Sequence, residues 1–362
     1  MEDLVSVLMC VYDTPISFLK EAIESILDQT YENIEFIIVD DCSKSLEVID
    51  CLRKYSDLYD RILVVRNPCN IGLTKSLNVG LEYCKGNFIA RMDSDDIALP
   101  DRIEKQIRYL KDNRDVAMVG SDIICFGDNM NDIDTSMETD SCCDYEFYKV
   151  SSLLRHSGPP HPTFVFRTSF LNEHGIKYRE NILKAQDYGI MVDILKNGGV
   201  IRKIHEPLLR YRIHEKQITA SSEIEQKVYQ LKVSYDYIKF LIKDIADAEA
   251  LSISMLGCMF QLDEVVNAIK ENDLLAQNCD FSQELLNKLE NANVYLDGQR
   301  KLLSINKKEK LFDEKLLREE LCYYWWKMAL HNTIRKHRLW GFGLYTLNCY
   351  KCVLKRKIYG KY

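Results

Sequence analysis

The sequence has 362 residues, of which 46% are hydrophobic, and carries a formal net charge of −7. This length exceeds that of one ordinary domain, so we expect a large domain with an appendage. The hydrophobic content is enough for a sizeable core and excludes an intrinsically disordered chain. The negative charge argues against a general nucleic-acid-binding protein, and no apolar run reaches the length of a membrane-spanning helix.

Basic residues are concentrated at the end of the sequence. From His331 to Tyr362 there are eight Lys or Arg and no acid, which leaves about −15 on the first 330 residues. The thirteen cysteines form no recognisable disulfide framework, and the Met-Glu-Asp start lacks a basic, apolar signal segment. The sequence therefore predicts reduced cysteines and a cytoplasmic location.

The first hundred residues alternate between predicted strands and helices. The strand-like apolar runs are Leu4–Cys10, Ile34–Val39, Ile62–Val65 and Phe88–Met92. Helices fill the intervals, and Thr14 is the predicted N-cap of the first helix, with Pro15 at its first position. The order β-α-β-α-β-α-β requires a mostly parallel sheet with helices on both faces.

Polar residues follow three of these strands, at Tyr12-Asp13, at Asp40-Asp41 and from Asp93 to Asp96. Because the carboxyl ends of parallel strands meet at one edge of a sheet, these residues converge as in nucleotide-binding proteins. The carboxylates of Asp93, Asp95 and Asp96 repel one another, and a hard divalent ion that also contacts phosphate would screen them. The alternative is a solvated acidic turn, and the Gly-rich dinucleotide fingerprint is absent after every strand.

Five segments resemble the opening of bacterial family 2 glycosyltransferases, in the expected order and spacing over about 95 residues. They are Ser6–Tyr12, Ser25–Tyr31, Ile38–Ser43, Asn70–Asn78 and Ala90–Asp96. The resemblance implies a GT-A fold, an α/β architecture in which helices cover a nucleotide-binding, mostly parallel sheet. It also implies transfer of a sugar from a nucleotide donor, usually a UDP-sugar, with Mn²⁺ or Mg²⁺ as cofactor.

The resemblance also implies roles for individual residues of this chain. Tyr12 resembles the residue that packs on the uracil, and Asp41 resembles the carboxylate that accepts the uracil N3 proton. Such a carboxylate suits uracil because its imide N–H is a donor, whereas a cytosine ring offers no donor at that position. Asp93 resembles the acid near the ribose and the metal, and Asp95 resembles the direct metal ligand.

Two basic residues lie in matching segments. Lys75 and Arg91 are interpreted as facing the phosphates or the sugar of the donor, and the alternative is a solvated surface charge. The chain has Cys10 where the family commonly has Pro, and Asp13 where it commonly has Asn; neither position carries chemistry.

The acceptor side is predicted in the second half of this domain. Lys184–Lys196 reads as a helix with Asp187 in its first turn, where the helix dipole stabilises a carboxylate. This segment resembles the family's Glu-Asp motif, which makes Asp187 the expected catalytic base, although Gln186 replaces the usual Glu. Before it, His161–Arg167 reads as a strand, and His156 and His161 are weaker candidates for the acceptor side.

Leu208–Thr219 resembles the closing segment of the family domain. Its histidine, His214, is therefore expected to complete the metal coordination as a neutral imidazole. Together these parts suffice for an inverting displacement, in which Asp187 takes the proton of the acceptor hydroxyl. The resemblance implies a β-linked product from an α-linked donor.

The C-terminal third is predicted to be helical, which divides the chain into a catalytic domain, 1–220, and an extension, 221–362. In the extension, Tyr229, Val233, Tyr237 and Phe240 recur at helical spacing and are interpreted as core. An uncharged aromatic stretch, Leu339–Tyr350, lies between two basic clusters, a composition that suits an anionic membrane surface. The alternative is that this stretch forms a helix that packs over the domain with its basic residues in solvent, and the sequence does not decide between the two.

The expected acceptor is a glycan or a lipid-linked oligosaccharide at the inner face of a bacterial membrane. A sugar nucleotidylyltransferase is a rival enzyme class, but it should show a Gly-rich basic loop, which Met9–Asp13 lacks. A non-catalytic scaffold with a transferase fold is the second rival, and the presence of Asp95 and Asp187 argues against it.

Overall fold

The computed structural model describes residues 2–127, 130–134, 145–154, 157–214, 223–255, 262–288 and 292–330. The chain divides into two compact units. The first comprises residues 1–139 and 158–217, and the second comprises residues 140–157 and 218–362. The sequence-based division after residue 220 stays a prediction.

The first unit is built on a nine-stranded sheet. Its strands are β1 (Val5–Val11), β2 (Ile34–Asp40), β3 (Ile62–Arg66), β4 (Phe88–Asp93), β5 (Ile97–Ala98), β6 (Val116–Gly127), β7 (Met130–Asp134), β8 (Val165–Arg167) and β9 (Val200–Arg212). The first four pair in parallel in the order β3-β2-β1-β4. The predicted alternation of strands and helices over this half of the sheet is confirmed.

Beyond β4 the sheet continues with pairings that join distant parts of the chain. β8 pairs antiparallel with β4 and with β6, while β6 and β9 run parallel over most of their length. The two-residue strand β5 follows the acidic turn and pairs with the end of β9, through Ile97 with Arg210 and Ala98 with Leu209. This pairing brings the end of β9 to the turn that carries the three acids.

Six helices of the first unit belong to the described residues: α1 (Ile16–Leu27), α2 (Leu46–Leu58), α3 (Leu73–Tyr83), α4 (Arg102–Asp112), α6 (Thr168–Glu173) and α7 (Gln186–Lys196). α3 packs so closely on β1 that a Cβ at Gly80 would lie 2.2 Å from the Leu8 side chain. Glycine at this helical position is therefore what lets α3 lie directly on the sheet.

Two local predictions were wrong. α1 begins at Ile16 with Pro15 as its N-cap, because the Thr14 hydroxyl instead bonds to Ser94 Oγ at 2.7 Å. The strand predicted over 161–167 begins as a 3₁₀ turn, His161–Thr163, and only Val165–Arg167 is extended. Proline at position 162 has no N–H to give to a sheet ladder, which favours the turn.

A buried arginine supports the acid-bearing strand from its covered side. Arg102 of α4 is fully buried and donates from Nη2 to the Arg91 carbonyl at 2.6 Å. Burial, reinforced by the charge of Arg91, lowers the pKa of Arg102 to about 9. Arg102 therefore fixes β4 at Arg91, two residues before Asp93 at the end of the strand.

The described part of the second unit is helical. Its helices are α5 (Tyr145–Ser151), α8 (Glu223–Leu241), α9 (Asp247–Ser254), α10 (Leu262–Glu271), α11 (Asp273–Cys279), α12 (Gln283–Lys288), α13 (Ala292–Glu309) and α14 (Glu314–Leu330). Three of the four predicted core residues of α8 are buried, but Phe240 is 50% exposed, so its assignment to the core was wrong. None of the described helices combines the length and the apolar composition of a membrane span. The basic tail from 331 onward lies outside the described residues.

Candidate active site

Three carboxylates converge where β4 ends. Asp93 is the last residue of β4, and Asp95 and Asp96 lie in the turn that leads to β5. Their nearest ligand atoms all lie within 4.8 Å of one another. The side chains of Asp93 and Asp95 are 30% and 26% exposed, whereas Asp96 is 1% exposed. Two of the acids are thus accessible from outside and the third lies beneath them.

The crowding of these acids disfavours their charged forms. Burial, followed by the charge of Asp93, raises the pKa of Asp95, although the hydrogen bond from His214 opposes this. Burial raises the pKa of Asp96 well above its ordinary value, and the charges of Asp93 and Asp95 add to the effect. One Asp96 oxygen, Oδ2, is buried without a hydrogen-bond partner among the described residues. The turn therefore holds excess negative charge that a cation would relieve.

His214 joins this cluster from the end of β9. Its Nε2 lies 3.0 Å from Asp95 Oδ2, and its ring lies 5.6 Å from the Phe18 ring, centroid to centroid. The preceding backbone is fixed to the same turn, because Arg212 N donates to Asp96 Oδ1 and Arg212 Nε donates to the Asp95 carbonyl, both at 2.8 Å. The structure thus brings Asp95 and His214 together, and their role as metal ligands stays a prediction.

Aromatic rings hold the Arg212 guanidinium in place. Its central carbon lies 4.0 Å from the Phe18 ring centroid and 4.5 Å from that of Phe126, and it forms an ion pair with Glu21. Cation–π contacts of this kind restrict the side chain more than a solvated ion pair does. Arg212 therefore positions both the acidic turn and the neighbouring His214.

The donor set of this cluster fits a divalent cation. Carboxylate oxygens suit Mg²⁺, and a carboxylate set completed by an imidazole suits Mn²⁺. Asp93 and Asp95 offer accessible oxygens, and His214 Nε2 already lies within hydrogen-bond distance of one of them. These three residues are the ones that sequence analysis assigns to the metal.

Arg91 lies beneath the cluster as a buried cation. It is 3% exposed and forms an ion pair with Asp93, while its Nε and Nη1 atoms are buried without a hydrogen-bond partner among the described residues. Burial disfavours its charged form, but the charge and hydrogen bond of Asp93 outweigh burial, so the pKa of Arg91 is raised. The solvated surface charge considered for Arg91 in sequence analysis is therefore wrong.

Asp41 closes the loop that begins α3. Its Oδ1 accepts hydrogen bonds from Asn67 Nδ2 at 2.8 Å and Ile71 N at 2.9 Å, and its Oδ2 accepts from Gly72 N at 2.8 Å. Gly72 has φ of +85°, a conformation that glycine adopts without strain. Each carboxylate oxygen has two lone pairs, so Oδ2 retains one for a further donor. The side chain predicted to accept the uracil proton thus also builds the loop.

The two remaining nucleotide-site candidates are exposed. Tyr12 follows β1 with a side chain that is 44% exposed, and Lys75 is exposed on the first turn of α3. Beside Tyr12, Asp13 has φ of +48° and accepts hydrogen bonds from Lys44 N and Ser45 N, at 2.8 and 2.9 Å. Asp13 therefore joins the loop after β1 to the loop after β2, and Tyr12 lies at this junction.

Asp187 and the acid cluster act on a common neighbour, Tyr178. The Tyr178 ring is 3% exposed, and its hydroxyl forms a hydrogen bond with His161 Nε2 at 2.9 Å. Burial raises the pKa of Tyr178, Arg91 opposes the shift, and the negative charges of Asp187 and Asp93 add to it. The candidate base and the candidate metal ligand are therefore both electrostatic neighbours of one phenol.

Several residues of the site escape sequence analysis. Asn67, Asn78, Tyr178 and Arg212 are all contributed by segments far along the chain from their partners. The available signal was weak: each is a polar residue beside an apolar run, which is an ordinary pattern. His156 and residues 215–219 of the closing segment lie outside the described residues.

Residues 6–205 match the model of the family described as glycosyl transferase family 2. The chain is 33% identical over 227 residues to an uncharacterized glycosyltransferase of Methanocaldococcus jannaschii, covering 62% of this chain and 76% of the relative. It is 33% identical over 248 residues to the O-antigen biosynthesis glycosyltransferase WbnJ of Escherichia coli, covering 67% of this chain and 90% of WbnJ.

The structure is similar to that of residues 1–349 of S. aureus TarS in complex with UDP-GlcNAc. The TM-score is 0.56 at 16% sequence identity, and the match covers 93% of each chain. At this identity the likeness concerns the fold alone. Together with the family match it confirms the predicted GT-A fold with a helical C-terminal region.

Proposed function

Because the chain belongs to glycosyl transferase family 2, we propose that it transfers a hexose or N-acetylhexosamine from a UDP-sugar to a hydroxyl of a glycan. The observation that carries this proposal is the convergence of Asp93, Asp95 and His214 at the carboxyl edge of the sheet. The UDP-GlcNAc named for the similar TarS structure supports a UDP-sugar donor. We assign the reaction to residues 1–220.

Asp93, Asp95 and His214 are the residues that would hold Mn²⁺ or Mg²⁺ in this enzyme. The bound ion would supply charge neutralisation on the departing nucleoside diphosphate. Arg91, buried behind Asp93, forms an ion pair with that carboxylate and so orients it at the edge of the sheet.

The nucleotide is recognised at the ends of the first two strands. The half-exposed Tyr12 ring offers a stacking surface for uracil, and Asp41 Oδ2 offers an acceptor for the imide N–H. Lys75 would face the diphosphate from the first turn of α3. In this arrangement Tyr12 and Asp41 recognise the base, and Lys75 neutralises charge on the phosphates.

Asp187 is the proposed general base. It lies in the first turn of α7, and its charge acts on the same Tyr178 hydroxyl as that of Asp93. Asp187 takes the proton from the acceptor hydroxyl as that oxygen attacks the anomeric carbon, and the C–O bond to the diphosphate breaks on the opposite face. This displacement inverts the anomeric configuration, so an α-linked donor gives a β-linked product.

The acceptor is proposed to be a growing bacterial surface polysaccharide, linked to a lipid. The name of WbnJ, which refers to O-antigen biosynthesis, supports this acceptor class. The basic, aromatic tail from 331 to 362 supports peripheral attachment at the cytoplasmic face of an anionic membrane.

The deciding experiment assays the purified chain against a panel of UDP-, GDP-, CDP- and dTDP-sugars with Mn²⁺, Mg²⁺ or EDTA. Hydrolysis or transfer with one UDP-sugar, lost with EDTA, is the expected result. Metal-independent turnover would contradict the role of the acid cluster, and binding of UDP-sugars without any turnover would favour the scaffold alternative.

A further inference from the structure

Buried polar side chains of α3 hold the segment that leads to the catalytic base. Asn78 Nδ2 donates to the Tyr178 carbonyl at 2.8 Å, and Tyr178 N donates to Asn78 Oδ1 at 2.9 Å. Thr74 Oγ1 donates to the Ile182 carbonyl at 3.2 Å. Asn78 and Thr74 are 8% and 2% exposed, so water cannot easily replace these bonds. The segment 178–182 is therefore fixed to α3 at two points.

The other end of the same helix is fixed to the nucleotide site. The amide N–H groups of Ile71 and Gly72, where α3 begins, both donate to the Asp41 carboxylate. Asn67 Nδ2 is shared between Asp41 Oδ1 and Ser76 Oγ, at 2.8 and 2.9 Å. Asp41 and Asn78 thus act on one short helix, with attachment points separated by roughly 9 Å of helical rise.

The segment 178–182 in turn sets the start of α7. Only residues 183–185 separate it from Gln186, where α7 begins, and Ala185 is buried at 1% exposure. The first backbone hydrogen bond of this turn runs from Gly189 N to the Ala185 carbonyl at 2.9 Å. A shift of Ile182 would therefore move Asp187, which follows it by five residues, and a shift of Tyr178 would act through the same segment.

We infer that α3 couples the uracil site at Asp41 to the catalytic base Asp187, and that Asn78 is the positioning residue of this coupling. The inference rests on the proposed function for the roles of Asp41 and Asp187. An amide side chain is required because it donates to one backbone group and accepts from another at the same point. A nucleotide that engages Asp41 adds a contact to a helix that is already held at both ends, and so restrains further the segment that positions the base.

The first test compares Asn78→Ala with Asn197→Ala. Asn197 also bonds through its amide, from Nδ2 to the Asp193 carbonyl at 2.9 Å, but at the far end of α7. We expect Asn78→Ala to lower kcat for transfer roughly 100-fold, since misplacement of a reacting group by about 1 Å has that effect. The Kd for UDP should stay within about twofold of the wild-type value, and Asn197→Ala should change neither quantity.

A second variant guards against simple misfolding. Thr74→Val keeps the shape of the side chain and removes only the hydrogen bond to Ile182, so kcat should fall less, by roughly 3- to 10-fold. Wild-type kcat in both Asn78→Ala and Thr74→Val would overturn the inference. If Asp187→Asn is inactive in the same assay, the proposed function survives that result.

Hydrogen exchange supplies a readout that does not depend on turnover. In the wild type, UDP with Mn²⁺ should slow exchange of the Tyr178 amide, which donates to Asn78. In Asn78→Ala this amide should exchange faster, and UDP should no longer slow it. Exchange at Tyr178 that ignores UDP in the wild-type protein would overturn the coupling, whether or not a sugar donor has been found.

Discussion

The imidazole Nε2 of His214 lies 3.0 Å from Oδ2 of Asp95, although 119 positions separate the two residues along the chain. The contact depends on the pairing of β5 with β9 and on the backbone of Arg212, which donates to Asp96. A histidine at this distance from an accessible carboxylate can share a cation with it, or can hold a proton between them. The two alternatives differ in whether replacing either residue weakens the metal-dependent binding of the donor.

Substitution of either proposed ligand should weaken metal-dependent binding of the donor. Asp95→Ala should abolish the Mn²⁺-dependent part of UDP-sugar binding, because it removes a direct ligand. His214→Ala should weaken it by roughly 10- to 100-fold, since a coordinating oxygen set remains. Isothermal titration calorimetry with Mn²⁺ and with EDTA measures both effects.

His205→Ala is the matched control for the metal experiment. His205 Nδ1 lies 3.7 Å from Asp122 Oδ2, so this histidine also faces a carboxylate, but outside the acid cluster. Its replacement should leave metal-dependent binding unchanged. Wild-type affinity in Asp95→Ala would remove Asp95 and His214 from the metal site.

Replacement of the proposed base should separate chemistry from binding. Asp187→Asn is nearly isosteric but cannot accept the proton, so turnover should fall by roughly 10² to 10⁴ while donor affinity stays constant. Single-turnover transfer to a purified acceptor measures the chemical step directly. Glu180→Gln is the control because Glu180 is an exposed acid of the adjoining segment. If Glu180→Gln loses turnover and Asp187→Asn does not, the assignment of the base must be reversed.

The Asp41 carboxylate should discriminate between nucleobases. The wild type should bind UDP in preference to CDP, because the carboxylate accepts the imide N–H that only uracil presents. A hydrogen bond to a charged group contributes about 1.5–3 kcal/mol, which corresponds to roughly a 10- to 100-fold preference. Asp41→Asn should erase this preference and also lower the unfolding temperature, since Asp41 holds the loop before α3. If a folded Asp41→Asn variant keeps the wild-type ratio of affinities for UDP and CDP, Asp41 does not have this role.

The buried Asp96 should make the metal-free protein less stable as the pH rises. The pKa of Asp96 is raised above the ordinary value of 3.8, so the folded state keeps this proton up to a higher pH than the unfolded state does. Stability from this group is therefore complete below pH 3.8 and is lost as the pH rises towards the raised pKa. Each unit of such a shift corresponds to about 1.4 kcal/mol.

Asp96→Asn tests this pH dependence. An asparagine Oδ1 can still accept the hydrogen bond from Arg212 N, while the buried charge is removed. In EDTA, the unfolding temperature of the variant should rise relative to that of the wild type as the pH increases from about 4 to about 8. Each kcal/mol of difference in stability corresponds to roughly 2–4 °C in unfolding temperature. A difference that is constant across this range would show that Asp96 does not titrate abnormally.

The basic tail should direct the protein to anionic lipid. Each basic residue near such a surface contributes on the order of 1 kcal/mol, so four or five together would give reversible binding that salt weakens. Co-sedimentation with liposomes containing anionic lipid should therefore retain the full chain and release a chain that ends at Leu330. If both chains bind the liposomes equally, or if binding does not depend on salt concentration, the tail has a structural role and does not bind the membrane.

The parallel half of the sheet was predictable because β1, β2 and β4 are buried almost throughout and read as continuous apolar runs. The acids after β4 and the family were predictable for a related reason, since the ends of these strands carry short, recognisable segments. The family prediction is confirmed by the match over residues 6–205.

The second half of the sheet was not predictable in the same way. The two-residue strand β5 is too short to produce a pattern, and β8 is extended over only three residues. Asn78 and Tyr178 are 100 positions apart, and the local sequence around either residue does not predict that they are in contact. Contacts of this kind follow from the completed fold, and local propensity does not encode them.

The pairing of β5 with β9 limits where the chain can be shortened. The family match ends at residue 205, whereas the partners of β5 are Leu209 and Arg210. A fragment trimmed to the family boundary would delete the only ladder that β5 forms among the described strands, along with the N–H that Asp96 accepts. Such a fragment would keep every acid of the site and still lose the scaffold that holds them. Truncations intended to preserve activity should therefore extend past His214.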